Sequence, residues 1–246
     1  MAKNSMKLEI FRFDPTDGKG PRFQTFEVPY VPGLTFLNAL IYIQENLDGS
    51  LAFRSSCRAG VCGSCGMHIA CQYRLACKTQ VKDYLGSTIT VRPLAHLPIY
   101  KDLVVDMTSF WAKYKYIKPY LIPGDEAPVG EERRQTPDER ARIDGLIDCI
   151  LCACCHASCP VTATDEEYLG PAVLTKAARF LLDSRDSAAN ERLVLTGDEN
   201  GVWRCHTVYN CIRVCPKSID PTGAIAELKR ESIRRKVLGK KRPRKV

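Results

Sequence analysis

Apolar and polar residues alternate over Lys7-Leu-Glu-Ile-Phe-Arg-Phe13 and again over Arg22-Phe-Gln-Thr-Phe-Glu-Val28. A period of two is that of a half-buried strand, and Asp17-Gly18-Lys19-Gly20 between the two runs is turn material, so the pair predicts a hairpin that ends at Pro32-Gly33. The period then lengthens. From Thr35, a helix-capping residue type, Leu37, Leu40, Ile41, Gln44 and Leu47 recur at helical spacing as far as Asp48-Gly49, which predicts a helix packed across the sheet. Met67 to Ala76 is expected to turn back on itself, and Ser87 to Val91 reads as a further strand closed by Pro93. Asp102 to Tyr116 reads as a helix. Beyond it Pro119, Pro123, Pro128 and Pro137, with many charges between them, mark a long irregular connector. Every later periodic segment is helical: Asp138 to Asp148, Pro171 to Asp183 with proline in its first turn, Ser187 to Leu195, and Pro221 to about Leu238. The pattern divides the chain into an α+β part (1–105), a connecting helix and proline-rich connector (106–137), a helical part (138–238) and a short tail (239–246).

Charge changes little in this picture once it is located. The formal net charge is +8, but Lys229 to Val246 holds ten of the lysines and arginines and one acid, which leaves Met1 to Leu228 at net −1. A near-neutral body argues against a nucleic-acid binder, which needs a basic surface beyond its tail. The amino end shows neither a secretory signal nor an Arg/Ser-rich transit segment, and no run of 18 apolar residues exists. The expectation is a bacterial protein that stays inside the cell, or an already processed chain, that does not span a membrane by itself.

Cysteine changes the picture more. Thirteen cysteines, clustered and odd in number, are poor disulfide material in a reducing compartment and good cluster material. Cys57-x4-Cys62-x2-Cys65 with a distant fourth cysteine is the plant-type [2Fe-2S] spacing. Cys77 is the preferred fourth ligand; Cys71 competes for the place but falls where the segment should reverse. Gly60, Gly63 and Gly66 suit a loop whose backbone approaches sulfide closely and needs positive φ in places. Cys149-x2-Cys152-x2-Cys155-x3-Cys159-Pro160 is the bacterial ferredoxin spacing, against which a structural zinc site is the minor alternative. Cys205, Cys211, Cys215 and Pro216 repeat that run with Val208 in the second cysteine's place. In two-cluster ferredoxins the last cysteine of each run crosses to the other cluster, so Cys149, Cys152, Cys155 and Cys215 complete a [4Fe-4S] set. Cys159, Cys205 and Cys211 are only three, which predicts [3Fe-4S] with Val208 over the vacant corner. Cys71 and Cys154 are left over, Cys154 as a small buried residue beside a cluster. No Gly-rich dinucleotide fingerprint and no nucleophile with its base is present, so no catalytic residue is expected in this chain, and substrate chemistry lies elsewhere.

At these motifs the chain resembles the iron-sulfur subunits of succinate dehydrogenase and its sibling quinol:fumarate reductase. The matching text is Ser56-Cys-Arg-Ala-Gly-Val-Cys-Gly-Ser-Cys65, Leu75-Ala-Cys77, Val91-Arg-Pro-Leu94 leading into Lys101-Asp-Leu-Val-Val-Asp-Met107, Cys149-Ile-Leu-Cys-Ala-Cys-Cys155, and Arg204-Cys-His-Thr-Val-Tyr-Asn-Cys211. The second and third cysteine segments, with Phe180-Leu-Leu-Asp-Ser-Arg-Asp186, look more like the succinate dehydrogenase branch. The resemblance implies a β-grasp [2Fe-2S] domain against an FAD-containing flavoprotein, and an all-α two-cluster ferredoxin-like domain against a membrane anchor. It also implies a relay from FAD through the three clusters to quinone, peripheral on the cytoplasmic side of a bacterial inner membrane. A pocket at Pro160 and His206 is implied for the quinone. The family's tryptophan shortly after the Cys-Pro has no counterpart in Val161-Thr-Ala-Thr164-Asp165, which points to a differently built pocket or a menaquinone-type acceptor. A free-standing multi-cluster ferredoxin is the competing reading.

The remaining candidates carry plainer expectations. His68, His96 and His156 are expected to be solvated or packing residues, because enough cysteines are present without them. Arg58 and Arg204 sit beside cluster ligands, where a surface role and a tuning of potential are equal alternatives. Tyr100 and the aromatic segment Phe110 to Tyr116 are expected to serve as helix core or subunit contact.

Overall fold

The computed structural model describes residues 5–126 and 129–238; the basic tail (239–246) lies outside the described residues. In chain order the elements begin with β1 (Ser5–Arg12), β2 (Arg22–Pro29), α1 (Phe36–Asn46), β3 (Gly66–Ile69), β4 (Gln72–Leu75), β5 (Thr88–Arg92), β6 (Ile99–Lys101) and β7 (Val104–Val105). Helices follow: α2 (Thr108–Tyr116), α3 (Pro137–Ala141), α4 (Cys154–Ala157), α5 (Pro160–Thr164), α6 (Pro171–Leu182), α7 (Ala189–Thr196), α8 (Asn210–Arg213) and α9 (Pro221–Leu238). The chain forms two units. Among the described residues the first takes 5–107 together with 150–158 and 214–216; the second takes those of 108–149, 159–213 and 217–238.

In the first unit five strands lie in the order β2-β1-β5-β3-β4. β1 pairs antiparallel with β2, Ser5 opposite Pro29 through Arg12 opposite Arg22, and parallel with β5. The alternation read from the sequence is the burial pattern of β1, whose Met6, Leu8, Ile10 and Arg12 all point inward. α1 covers this face with Phe36, Leu37, Ala39, Leu40 and Ile43, and starts where the Thr35 hydroxyl accepts the Asn38 amide at 3.2 Å. Its first amides, Phe36 and Leu37, donate to the carbonyls of Thr79 (3.0 Å) and Ala76 (3.1 Å), which pins the Cys77 segment to the helix start. A mixed sheet grasping one helix is the β-grasp arrangement.

The helix expected from Asp102 is corrected. Asp102 stands at the turn between β6 and β7 in the left-handed region (φ 47°), and the helix begins only at Thr108. Its carboxylate accepts the Arg12 Nε (3.1 Å), Phe13 N (2.9 Å) and Ala52 N (2.9 Å). Such side chain to backbone bonding competes with helix.

The second unit is helical. α6 is buried along Ala172, Val173, Leu174, Ala177, Ala178 and Leu181, and its core is shared with Ile117, Leu193, Val202, Ile225 and Leu228. Arg192 of α7 lies in the middle at 1 % exposure. It donates to Asp186 (2.6 Å) and to the carbonyls of Ile117 (3.0 Å), Lys118 (2.6 Å) and Tyr120 (2.7 Å), which gives the chain leaving α2 its hydrogen-bond partners. The helix read over Asp138 to Asp148 is also corrected: α3 has a Thr136–Glu139 capping box but stops at Ala141, and the chain passes through turns with Gly145 at φ 73°. Among the described residues no helix is long and apolar enough to cross a membrane.

Candidate functional site

The first cysteine loop, 52–65, carries no regular element and is shaped by left-handed residues: Arg58 (φ 55°), Gly60 (72°) and Gly63 (74°). These turns aim amides inward. Cys57 Sγ accepts the amides of Ala59 (3.4 Å), Val61 (3.3 Å) and Cys62 (3.3 Å), and those bonds, Ala59 first, lower its thiol pKa to about 6. A thiol so held is close to its metal-binding form at neutral pH. Cys65 is buried and burial pushes it up to about 12, with the Cys77 thiol hydrogen-bonded to it. A positive metal centre would relieve that cost. The Ala76 amide donates to the Cys65 carbonyl at 3.0 Å, which joins the loop to the chain just before Cys77. Cys71 is elsewhere: it sits exposed at the tip of the β3–β4 hairpin (φ 62°), four residues up from the base, roughly 13 Å along a strand.

Residues 150–158 return to this same unit. Gly63 and Gly66 make room for them, since a Cβ on Gly63 would stand 2.8 Å from the Ile150 carbonyl oxygen and 3.0 Å from Cys152 Cα, and one on Gly66 2.8 Å from the Cys152 carbonyl oxygen. Leu151 (φ 53°) and Ala153 (60°) coil the segment so that Cys152 stands just before the one-turn α4, which Cys154 and Cys155 open. The Cys154 thiol donates to Cys152, lowering the Cys152 pKa and raising its own. Cys154 is completely buried, as the leftover cysteine was expected to be. Cys215 lies in this unit as well, while Cys149, one residue before it resumes, is counted with the second, where Lys176 and Tyr114 are its charged and polar neighbours.

In the second unit a cavity holding about 330 Å³ of space, open solvent included, is bounded by Cys159, Cys205 and Cys211. Pro160, Tyr168, His206, Val208, Tyr209 and Thr222 share its wall. Left-handed Thr207 (φ 59°) and Tyr209 (φ 66°) turn the 205–211 loop around it. The Cys159 thiol takes the amides of Thr162 and Val161 at the start of α5, although burial, the larger effect, raises it. Cys211 Sγ lies 3.3 Å from the Thr222 hydroxyl, and the Tyr168 hydroxyl is bonded to Cys205. Burial, followed by the neighbouring thiols, raises Tyr168 well above an ordinary phenol, so it stays protonated and donates. Sequence reasoning missed Tyr168 and Thr222; neither lies in a motif, and no spacing rule reaches a residue that meets sulfur only through the fold.

The donors fit iron-sulfur clusters. Thiols stand in groups lined by amides and hydroxyls, the donor chemistry that iron-sulfur clusters use. The histidines fall as expected. His68 stacks edge-on against Tyr73 (5.0 Å), His96 is exposed, and partial loss of hydration lowers the pKa of both; His156 is buried. Arg58 is exposed, and Arg204 pairs with Asp165 at 2.6 Å.

Two family models match. One, a 2Fe-2S iron-sulfur cluster binding domain, covers residues 7–112, and the other, a 4Fe-4S dicluster domain, covers 145–219. The chain is 46% identical over 231 residues to the succinate dehydrogenase iron-sulfur subunit of Coxiella burnetii, covering 93% of this chain and 97% of that protein. Its fold matches a chain of the Mycobacterium smegmatis Sdh1 complex in the apo form, with TM-score 0.82, 27% identity, and coverage of 94% of this chain and 97% of that one. A hypothetical protein from Helicobacter pylori shares the fold alone over 93% of this chain and 40% of its own, at TM-score 0.57 and 16% identity. Cysteine spacing, a β-grasp unit, a helical unit and near full-length likeness converge: the chain belongs to the family of succinate dehydrogenase iron-sulfur subunits, the electron-transferring part of that oxidoreductase.

Proposed function

We propose that the chain is the relay of a membrane-bound succinate:quinone oxidoreductase, with Cys57, Cys62, Cys65 and Cys77 for [2Fe-2S], Cys149, Cys152, Cys155 and Cys215 for [4Fe-4S], and Cys159, Cys205 and Cys211 for [3Fe-4S]. The observation that supports this reading is the cavity in the second unit, with three thiols on its wall and, also on its wall, Val208, which occupies the second cysteine's place in the sequence run. When bound, the clusters supply one-electron carriers between FAD of a flavoprotein partner and quinone.

The chain's own residues hold and tune. Backbone amides of Ala59, Val61 and Cys62 stabilise the Cys57 thiolate, and those of Val161 and Thr162 stabilise Cys159. The β-grasp domain (1–105) would face the flavoprotein, through the exposed loop bearing Cys57, Val61 and Cys62. The helical domain (138–238), beyond the connector 106–137, would face a membrane anchor at the cytoplasmic side of a bacterial inner membrane. Trp203, Val208 and Tyr209 are exposed beside the third site, and Pro160 and His206 lie on its wall, which supports a quinone pocket there.

Membranes carrying the complex provide the test. Succinate is expected to reduce the cluster signals, and a quinone analogue to reoxidise them. A chain that stays in the supernatant without a flavoprotein, and that succinate does not reduce, would be a free-standing ferredoxin instead.

A further inference from the structure

The three thiols of the second unit's cavity differ in what donates to them. Cys159 takes the backbone amides of Val161 and Thr162 and, as a smaller contribution, the Thr162 side chain. Cys205 and Cys211 each take a side-chain hydroxyl from a residue far along the chain: Tyr168, 1 % exposed, on Cys205, and Thr222, 7 % exposed, on Cys211 at 3.3 Å, where the Ile212 amide also contributes. At the first loop, by contrast, Cys57 is served by three backbone amides. Amide donors come with the loop fold and cannot be removed singly. The hydroxyls are separable from the fold, because the Tyr168 ring already packs among Val161, Leu169, Val173 and Val202, and phenylalanine would keep that packing.

We propose that Tyr168 and Thr222 are positioning residues that raise the reduction potential of the cluster held by Cys159, Cys205 and Cys211, making it the favoured electron acceptor of this chain. The argument rests on the assignment of that cluster under the proposed function. One electron enters on reduction; no bond forms or breaks, and the added negative charge falls partly on the ligand sulfurs. A hydroxyl donating to sulfur binds that charge more strongly in the reduced state than in the oxidised one, so each donor favours reduction. Thiolate is an acceptor only, which fixes the direction of the ambiguous Thr222–Cys211 contact once iron is bound. Both donors are buried, where such bonds gain from the low dielectric. A purely structural role, in which thiol merely satisfies a buried hydroxyl, predicts no change in potential.

The experiment is an EPR-monitored redox titration of the purified complex, following the oxidised [3Fe-4S] signal in the wild type, Tyr168→Phe, Thr222→Val, Thr222→Ser and the Tyr168→Phe/Thr222→Val pair. The midpoint potential is expected to shift downward in Tyr168→Phe and in Thr222→Val, further in the pair, and to return toward wild type in Thr222→Ser. The [2Fe-2S] midpoint should stay in place throughout. Full signal with an unmoved midpoint in both single variants overturns the inference and leaves the cluster assignment standing. Absence of the signal in the wild type overturns the assignment itself, and the inference with it. If Tyr168→Phe fails to hold a cluster, the Thr222 Val and Ser variants decide by themselves: equal midpoints reject the proposal, and a lower midpoint in Val alone supports it.

Discussion

At Asp102 one carboxylate ties together two other stretches of the first unit: the end of β1, through the Arg12 guanidinium and the Phe13 amide, and the Ala52 amide that leads into the first cysteine loop. Arg12 is buried; burial opposes its charge, but the hydrogen bonds it donates to Asp48 (2.6 Å) and Asp102 (3.1 Å) outweigh it and raise its pKa. Asp102→Asn keeps a residue that tolerates the left-handed turn and removes only charge and one acceptor. It is expected to cost about 3 kcal/mol, the lower end for breaking a buried pair because Asp48 still faces Arg12, read as a lower urea midpoint with unchanged slope. Cys77 and Cys71 make a second contrast at this scale. Cys77→Ser should abolish the reduced [2Fe-2S] EPR signal, whereas Cys71→Ser, at a hairpin tip, should leave it at full intensity; the reverse outcome would move the fourth ligand to Cys71. The cysteine spacing was legible because loop cysteines obey local rules. Arg12 was not, since a single arginine in an alternating strand looks like a solvent-facing residue until its partners arrive from 36 and 90 residues away.

Elements with strong periodicity were read correctly. The β1–β2 hairpin, α1 from its Thr35 cap, α6 with proline in its first turn, and α9 from Pro221 all stand where the pattern put them, give or take an end residue. The misread ones share a cause. Asp102 and Gly145 take left-handed φ inside stretches that look helical, and a strand pair of three and two residues, β6 and β7, is too short to show a period. Glycine supplies the prediction that belongs here. Gly63 and Gly86 both have positive φ, 74° and 87°, but a Cβ on Gly86 meets nothing within 4 Å, while one on Gly63 meets the backbone of Ile150 and Cys152. Gly86→Ala should cost about 1–2 kcal/mol for the conformation alone. Gly63→Ala should cost more by a further ~1–3 kcal/mol of overpacking and lower the [4Fe-4S] content as the 150–154 segment is displaced. Equal losses of stability in the two variants, with full [4Fe-4S] content, would show that the close approach has no consequence.

The molecule as a whole is two cores and a set of cysteine loops, with a net positive charge that lies entirely beyond Leu228. Composition and motifs carried the fold class and the electron-transfer role, because thirteen cysteines at such spacings have few other uses. The return of 150–158 and 214–216 to the first unit could not be read from periodicity, which reports which face of an element is buried but not against what. The hydroxyls on Cys205 and Cys211 escaped for the same reason. The central claim is the cluster set, and EPR with spin and iron quantitation on the purified complex tests it most directly. The account predicts an oxidised [3Fe-4S] signal at about one spin per chain and, after reduction, one [2Fe-2S] and one [4Fe-4S], for about nine irons in all. A second reduced [4Fe-4S] signal with no oxidised [3Fe-4S] signal would contradict it.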